Sequence, residues 1–504
     1  MRFALLGSVR WHDRRAYFYK IHRNVSLTTR TTIMKLAIPA ADRNVRFVRH
    51  AALVVLTFAT GPIADAQPPK DQTYMPVVPT QSFEDTFKQD SADKAKVMSD
   101  QKALLEKRYD LSDNPSNVQM SGKRKAVQQG VRAKLPSGVT WEKLGNMTPE
   151  QIKQQNAFPM GFRPLPHVKH LVGGMVFSQQ QIDATQKAEG RDLKRFDVDF
   201  DIPDHFTPEF PPPMFLTSRP DLGDVSNGEV MTFKNYYRLL YGKVTPVQME
   251  GMRLLLTPQP QQQFNQTEDR KVHDPSLGVT CFDCHVNGHT NAAFHENPDT
   301  RPQEDRLRIE TVSLRGMFNQ QIHGSKRSLR SVEDFTEFEQ RTAYFDGDHV
   351  TAAKKGLFLP ERSAQVSMMA QMQNMLNFPP APKLDVLGHL IADKATPQEL
   401  AGEKIFNGKG KCAECHKPPF FLDDKMHDLH LERFYTIETI AGQRNMQDGP
   451  TKTFTLRGIK DSPPYHHDGR LLTLDDTVEF FNLVLTLKLS GEEKQNLVAY
   501  LRCL

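Results

Sequence analysis

Two residue types are scarce in this chain of 504 residues, which holds two tryptophans, Trp11 and Trp141, and five cysteines. Long apolar runs are also lacking, since the apolar stretch near the N-terminus covers only residues 51–59. A membrane-spanning helix needs about 20 predominantly apolar residues. The sequence therefore predicts a protein that is not integral to a membrane once it is processed.

A basic surface large enough for nucleic acid is absent as well. The formal net charge is +5, but residues 1–66 hold 11 Lys/Arg against 3 Asp/Glu. The rest of the chain carries 54 Lys/Arg and 57 Asp/Glu and is slightly acidic. Binding to a phosphate backbone requires clustered Lys and Arg, so we expect no nucleic-acid partner.

Residues 34–66 have the pattern of a secretory signal peptide. Met34 and Lys35 offer a start, three arginines precede the apolar run at 51–59, and Ala64-Asp-Ala66 supplies an A-x-A cleavage site. We therefore assign residues 1–66 to an N-terminal extension plus signal peptide and predict export to the periplasm. A membrane anchor is the alternative, which the short apolar run disfavours.

Four of the five cysteines fall in two copies of the pattern Cys-x-x-Cys-His, which is typical of c-type heme attachment. Two thiols at this spacing can bond to the two vinyl groups of one heme while the adjacent imidazole reaches the iron. The sequence thus predicts two covalently bound hemes c, with four attachment cysteines and two proximal histidine ligands. The copies are Cys281-Phe-Asp-Cys284-His285 and Cys412-Ala-Glu-Cys415-His416.

Other uses of paired cysteines are a disulfide framework, a zinc site and a thioredoxin-like redox pair. Zinc would draw its ligands together, whereas each pattern here is followed by its own histidine and lies in its own repeat. Cys503, next to the last residue, has no obvious partner. We interpret it as a small apolar residue on a helix.

An internal repeat surrounds the two heme patterns. Thr245-Pro-Val-Gln248 and Thr396-Pro-Gln-Glu399 each predict a capped helix start before a heme pattern. Downstream, Leu314-Arg315-Gly316 corresponds to Leu456-Arg457-Gly458. We further align Gly324 with Gly469, Ser328-Leu329 with Thr473-Leu474, and Phe335 with Phe480.

This repeat predicts a mainly α fold with two tandem class I cytochrome c-like heme domains, at residues 241–390 and 391–504. A capped amphipathic helix from Ser490 closes the second domain. Residues 67–240 are Pro-rich and predicted to be largely irregular, with one short helix at Thr148. Their role is unknown: they either wrap the heme domains or extend to bind a partner.

The segment from Thr455 to Gly469, which ends in Pro-Pro-Tyr-His-His-Asp-Gly, and the following Leu474-Asp-Asp-Thr-Val-Glu479 carry a specific resemblance. They are similar to the Pro-Tyr-Phe-His-Asp-Gly segment and helix of the bacterial diheme cytochrome c peroxidases and the MauG-type enzymes. The resemblance covers roughly residues 240–504. It implies a first heme that reacts with peroxide, a second that takes electrons from a small carrier, and a candidate Ca²⁺ ion between the domains.

Three positions depart from that family. Phe481 stands where its second heme has a Met or Tyr ligand, Ile322 stands where a Trp lies between the hemes, and Arg301 stands near the usual distal His. His289 and His295 are therefore our candidates for the distal ligand or acid-base group of the first heme, and each of them could instead be an ordinary loop histidine. His323 is a weaker candidate for the same role at the first heme.

The second heme has several candidate sixth ligands, and an axial Met or His would favour electron transfer. Arg315 and Arg457, at equivalent repeat positions, could pair with heme propionates or form surface salt bridges. The methionines of residues 368–375 have helical spacing and are predicted to pack in a core. The candidate sixth ligands are Met426, His427, His430, Met446, His466 and His467.

The predicted function is that of a periplasmic diheme oxidoreductase of the cytochrome c peroxidase type. One heme reduces hydrogen peroxide or a related oxidant, and the other relays electrons from a small soluble donor of the cytochrome c or cupredoxin type. The alternative is a non-catalytic diheme electron carrier in which both irons are six-coordinate.

Overall fold

The computed structural model describes residues 83–165, 177–193, 202–258, 280–296, 308–326, 329–344, 359–436, 439–440, 443–444 and 449–504. The described residues all belong to one compact unit, Gln67–Leu504. The predicted signal peptide lies outside the described residues. Among the described residues, no helix is both long and apolar enough to cross a membrane.

Helices dominate the described part of the chain, which confirms the predicted mainly α fold. Five of them precede the first repeat and seven lie within the two repeats. In chain order they are α1 Phe83–Arg108, α2 Trp141–Gly145, α3 Pro149–Gln154, α4 Gln179–Glu189, α5 Tyr236–Leu240, α6 Pro246–Leu255, α7 Cys281–Cys284, α8 Val332–Tyr344, α9 Leu359–Gln373, α10 Pro397–Asn407, α11 Leu474–Val484 and α12 Gly491–Leu501.

The strands among the described residues are short and form four antiparallel pairs. The pairs are β1 Pro115–Gln119 with β2 Ala126–Gln128, β3 Phe294–Glu296 with β4 Arg308–Glu310, β5 Met426–His427 with β8 Thr451–Lys452, and β6 Thr439–Ile440 with β7 Gln443–Arg444. Residue 295 pairs with Ile309 in the second of these. None of the pairs is large enough to form a core of its own.

The predicted helix starts are confirmed by their capping geometry. The Thr245 hydroxyl accepts from the backbone N–H of Gln248, and the Gln248 side chain accepts from that of Thr245. Thr396 and Glu399 form the same reciprocal pair at α10, and Ser490 caps α12 in this way. Each box satisfies two backbone donors that a helix start leaves open.

The duplication is visible in how the helices cross. α6 packs against α9, and α10 packs against α12. At each crossing one helix contributes a glycine: a Cβ on Gly251 would lie 2.0 Å from the Met368 carbonyl oxygen, and one on Gly402 would lie 2.0 Å from that of Asn496. Only residues without a side chain allow backbones this close, so both repeats have the same packing requirement.

The alignment downstream of Gly316 is wrong by three residues. The structure pairs His323 with Leu329 in an isolated bridge and Tyr465 with Leu471 in the equivalent one. These pairs keep the spacing that relates Arg315 to Arg457. Gly324 then matches His466, and both have positive φ, 88° and 75°. The sequence comparison matched Gly324 to Gly469 on residue type; Gly469 also has positive φ, 70°, so the equivalent bridges and not the backbone conformation decide the register.

The described parts of residues 67–240 pack against both repeats. Leu105, Tyr109, Phe158 and Phe162 are buried in the same hydrophobic cluster as Phe480. A second cluster joins residues 214–240 to the first heme pattern through Phe282. The described part of this region also holds α1 to α5 and a two-stranded sheet, so it is more regular than predicted, and the short helix expected at Thr148 is present as α3.

Candidate heme sites

The second heme pattern follows α10 and forms a short 3-10 turn at Cys412–Glu414. The Nδ1–H of His416 donates to the Phe421 carbonyl oxygen at 2.9 Å. This bond fixes the ring and leaves Nε2 as the nitrogen that can bind a metal, which is the usual arrangement of metal-ligating histidines. Burial lowers the pKa of His416, so the imidazole is neutral near pH 7, as a ligand must be.

A cavity of about 330 Å³ opens beside this pattern and is lined by Cys412, Cys415 and His416. Phe481 of α11 and Leu497 of α12 contribute to its largely apolar walls. A heme needs an apolar pocket, two thiols for attachment and a neutral imidazole. The residues present fit a heme c at this position.

The first heme pattern lies in α7 and the residue that follows it. Cys284 is buried, and Cys281 packs against the hydrophobic cluster that contains Phe282. Asp283 between them accepts two hydrogen bonds from Arg191, at 2.7 and 2.8 Å. Its carboxylate also accepts from the backbone N–H of Thr280 at 2.7 Å, so the loop that presents the thiols is firmly held.

Cys284 and Cys412 lack the depressed pKa of a reactive thiol. Burial raises the pKa of Cys284 well above its ordinary value and that of Cys412 to about 12. Redox-active thiols have a depressed pKa instead. Cys503 lies just beyond α12, where its thiol donates to the Ala499 carbonyl oxygen at 3.4 Å, in agreement with a packing role.

His289 is buried, and both of its ring nitrogens are engaged. Nδ1 lies 2.8 Å from Ser313 Oγ, and Nε2 lies 3.0 Å from the Asp461 carbonyl oxygen. Burial lowers its pKa well below the ordinary value. The ring lines the cavity of the second pattern. The side chain of His295 lies outside the described residues, so the catalytic roles of both histidines stay predictions.

Of the candidate sixth ligands, His427, His466 and His467 line the second cavity. His427 Nε2 lies 2.8 Å from Asp423 Oδ2, which occupies that nitrogen. The other described candidates, Met426 and His430, do not line this cavity, and Met446 lies outside the described residues. Phe481 lines it as well, as expected from its position in the family alignment.

The two repeat arginines are bonded to protein groups. Arg315 is buried, lies 3.2 Å from Asp461 Oδ2 and donates to the Pro213 carbonyl oxygen at 2.6 Å. Arg457 donates to the carbonyl oxygens of Leu504 and Pro379, at 3.1 and 3.3 Å. Both line the second cavity, and their binding of propionates stays a prediction.

The methionines at 368–375 pack in the core as predicted. Met369 and Met372 are buried, and Met368 and Met375 pack against the same cluster.

Among the described residues, the groups that could hold a metal ion all include a histidine. None is the all-oxygen set that Ca²⁺ prefers.

Two buried charged residues of the second cavity, Glu310 and Lys452, were not anticipated from the sequence. Glu310 of β4 and Lys452 of β8 both line it. Burial raises the pKa of Glu310 well above its ordinary value and lowers that of Lys452 to about 7. Glu310 lies only a few residues before Leu314-Arg315-Gly316. This proximity to the repeat was the available indication in the sequence that Glu310 could lie near a heme site.

The amino-acid sequence of this chain matches parts of several known proteins. It is 32% identical to a cytochrome-c peroxidase of Denitromonas iodatirespirans, over 22% of this chain and 40% of the relative. It is 29% identical to the methylamine utilization protein MauG of Methylorubrum extorquens, over 20% of this chain and 33% of the relative. These partial matches support the resemblance to the diheme cytochrome c peroxidase and MauG superfamily. The resemblance drawn from the sequence is thereby confirmed.

A further match to a known peroxidase also covers only part of each chain. The cytochrome c551 peroxidase of Nitrosomonas europaea is 30% identical over 21% of this chain and 34% of the relative. The matches therefore span 33 to 40% of the length of these three relatives. No family model matches the chain. A MauG-like protein associated with microbial copper homeostasis aligns over 52% of this chain and 89% of its own, with a TM-score of 0.35 and 14% identity.

Proposed function

We propose that the protein is an exported diheme c-type cytochrome that reduces hydrogen peroxide or a related oxidant at one heme, with electrons relayed through the other. The observation that carries the proposal is His416, whose ring is oriented by the Phe421 carbonyl oxygen at the wall of a cavity that also holds both attachment thiols. The first heme would be held by Cys281, Cys284 and His285.

A bound heme supplies an iron that can exchange single electrons and, where a coordination position is open, bind an oxidant. The chain's own residues attach each heme, orient its proximal imidazole and exclude water from its face. Reduction of hydrogen peroxide to two waters consumes two electrons and two protons. His289 and His295 are the proposed acid-base groups for those protons.

The remaining assignments follow from this proposal. Residues 241–390 and 391–504 form the two heme domains, residues 67–240 wrap them, and residues 1–66 direct export. The electron donor is a small soluble cytochrome c or cupredoxin, and a Ca²⁺ ion between the domains is a further cofactor. The packing of Tyr109 and Phe162 in one hydrophobic cluster and of Leu216 and Leu240 in the other supports this arrangement.

The test is a titration of the purified holoprotein, starting with the heme count from its pyridine hemochrome spectrum. Two hemes per chain are expected, and one heme is expected in a Cys412→Ala/Cys415→Ala variant. Electron paramagnetic resonance of the oxidised and half-reduced protein should show a high-spin fraction that binds cyanide and is consumed by peroxide. Catalytic reduction of peroxide with a reduced small cytochrome as electron donor is then the expected activity.

A second function, that of a non-catalytic electron carrier, is favoured by one observation. His427, His466 and His467 line the second cavity, and a histidine ligand on the open side of the iron would block an oxidant. The titration with cyanide and peroxide distinguishes the two functions. Two low-spin hemes that are inert to cyanide and peroxide in every redox state identify a carrier.

A further inference from the structure

His323 is a buried histidine whose ring has no described partner. Its exposed fraction is 2%, and among the described residues neither ring nitrogen has a hydrogen-bond partner. The ring lies 6.2 Å from that of Phe335. Phe335 and Cys281 both pack against the hydrophobic cluster that contains Phe282, which connects His323 to the first heme pattern through that cluster.

The second repeat places Tyr465 at the same position. Tyr465 pairs with Leu471 as His323 pairs with Leu329. Its exposed fraction is 4%, and its hydroxyl likewise has no hydrogen-bond partner among the described residues. Tyr465 lines the cavity that holds Cys412, Cys415 and His416. The corrected register therefore brings two buried polar groups to matched places beside the two heme patterns.

Buried polar groups without a partner are rare because each costs about 1–3 kcal/mol. Because the two buried groups occupy equivalent positions, we expect each of them to bind the same kind of chemical group, one in each repeat. The porphyrin ring is apolar, and the polar groups on its rim are two carboxylates. We propose that His323 and Tyr465 are hydrogen-bond donors to the carboxylates of the first and second heme, respectively. This inference rests on the proposed attachment of two hemes.

The chemistry of the two side chains favours a carboxylate over the iron. A phenol is protonated near neutral pH and donates, whereas an iron-bound tyrosine is a phenolate. Burial, followed by the charge of Lys452, lowers the pKa of His323 to about 4, so the ring is neutral and retains one N–H. Arg315, the other candidate partner, already pairs with Asp461, which leaves room for a separate donor.

The test uses the holoprotein with two variants that remove the donor and keep the shape, Tyr465→Phe and His323→Phe. A hydrogen bond withdraws charge from a carboxylate, so its loss stabilises the ferric iron and lowers the midpoint potential. Tyr465→Phe should lower the potential of the second heme alone and shift its carboxylate bending mode in resonance Raman spectra. His323→Phe should do the same at the first heme alone, so each variant is the control for the other.

His323→Gln retains a donor and should restore a potential close to that of the unchanged protein. Unchanged potentials and Raman modes, in variants that still carry two hemes, would overturn the inference. So would a change of one heme from low to high spin in His323→Phe, because His323 would then be an iron ligand. A failure of the proposed function looks different, since the heme count of the unchanged protein would fall short of two.

Discussion

The Arg315 guanidinium lies 3.2 Å from the carboxylate of Asp461, with exposed fractions of 4% and 3%. Arg315 belongs to the first repeat and Asp461 to the second. The other carboxylate oxygen of Asp461 accepts from the backbone N–H of Ser121, and its carbonyl oxygen bonds His289. One aspartate thus joins both repeats and the N-terminal region at the wall of the second cavity.

Breaking this pair should be costly, because it leaves an uncompensated buried charge. We expect Arg315→Met or Asp461→Asn to lower the free energy of unfolding by about 3–5 kcal/mol, measured by denaturant titration of the holoprotein. The double variant Arg315→Met/Asp461→Leu should cost less than the two single changes together. Single variants within 1 kcal/mol of the unchanged protein would show that the pair is not closed in solution.

The helix crossings predict a second effect on stability. Gly402→Ala would place a Cβ 2.0 Å from the Asn496 carbonyl oxygen, and Gly251→Ala would do the same to Met368. Overpacking of this kind costs about 1–3 kcal/mol or more, and separating α10 from α12 should also loosen the second heme. Gly491→Ala is the control, since a Cβ there meets nothing within 4 Å. Equal melting temperatures for all three variants would contradict the close crossing.

The sequence predicted the parts of the molecule that depend on local chemistry. The capping boxes of Thr245, Thr396 and Ser490 need only residues three positions apart, and all three are present. The Cys-x-x-Cys-His patterns are equally local. Features fixed by contacts between distant segments were harder to predict, as Glu310 and Lys452 reach the second cavity only through the packing of β4 and β8.

The repeat alignment failed for a related reason. Residue identity favoured Gly324 with Gly469, whereas the fold matches Gly324 with His466 because the bridges His323–Leu329 and Tyr465–Leu471 are equivalent. Continuing the Leu-Arg-Gly match without a gap gives this register, but it places a histidine opposite a glycine and was therefore not favoured by residue identity. The corrected register is what relates His323 to Tyr465.

Arg191 links the N-terminal region to the first heme pattern. It bonds Asp283 and Glu189, whose side chains are almost fully buried. Removing it leaves two unpaired carboxylates, so Arg191→Leu should cost about 3–5 kcal/mol and reduce heme attachment at the first pattern. The control is Arg219→Ala, which breaks an exposed pair with Asp221 and should leave stability and heme content unchanged. The measurements are unfolding titrations and heme content per chain, and full heme content in Arg191→Leu would argue against this link.

Lys452 predicts a specific pH dependence. Its Nζ donates to Gln320 and lies 4.9 Å from the Phe454 ring centroid, and burial lowers its pKa from 10.5 to about 7. The unfolded chain therefore binds the lysine proton more tightly than the folded one. Below about pH 7 the folded state carries the full cost of the buried charge, and stability rises by about 1.4 kcal/mol per pH unit as this lysine deprotonates between pH 7 and 10.5.

Lys452→Met removes this contribution and should be most stabilising below pH 7. The difference in unfolding free energy between variant and unchanged protein should shrink steadily from pH 7 to pH 9, as followed by denaturant titration at each pH. Lys102→Met, at a lysine that is 75% exposed, is the control variant for a solvent-exposed amine. A constant difference for Lys452→Met would mean that the amine reaches water in the folded protein, and that Lys452 does not lie at the wall of a closed heme cavity.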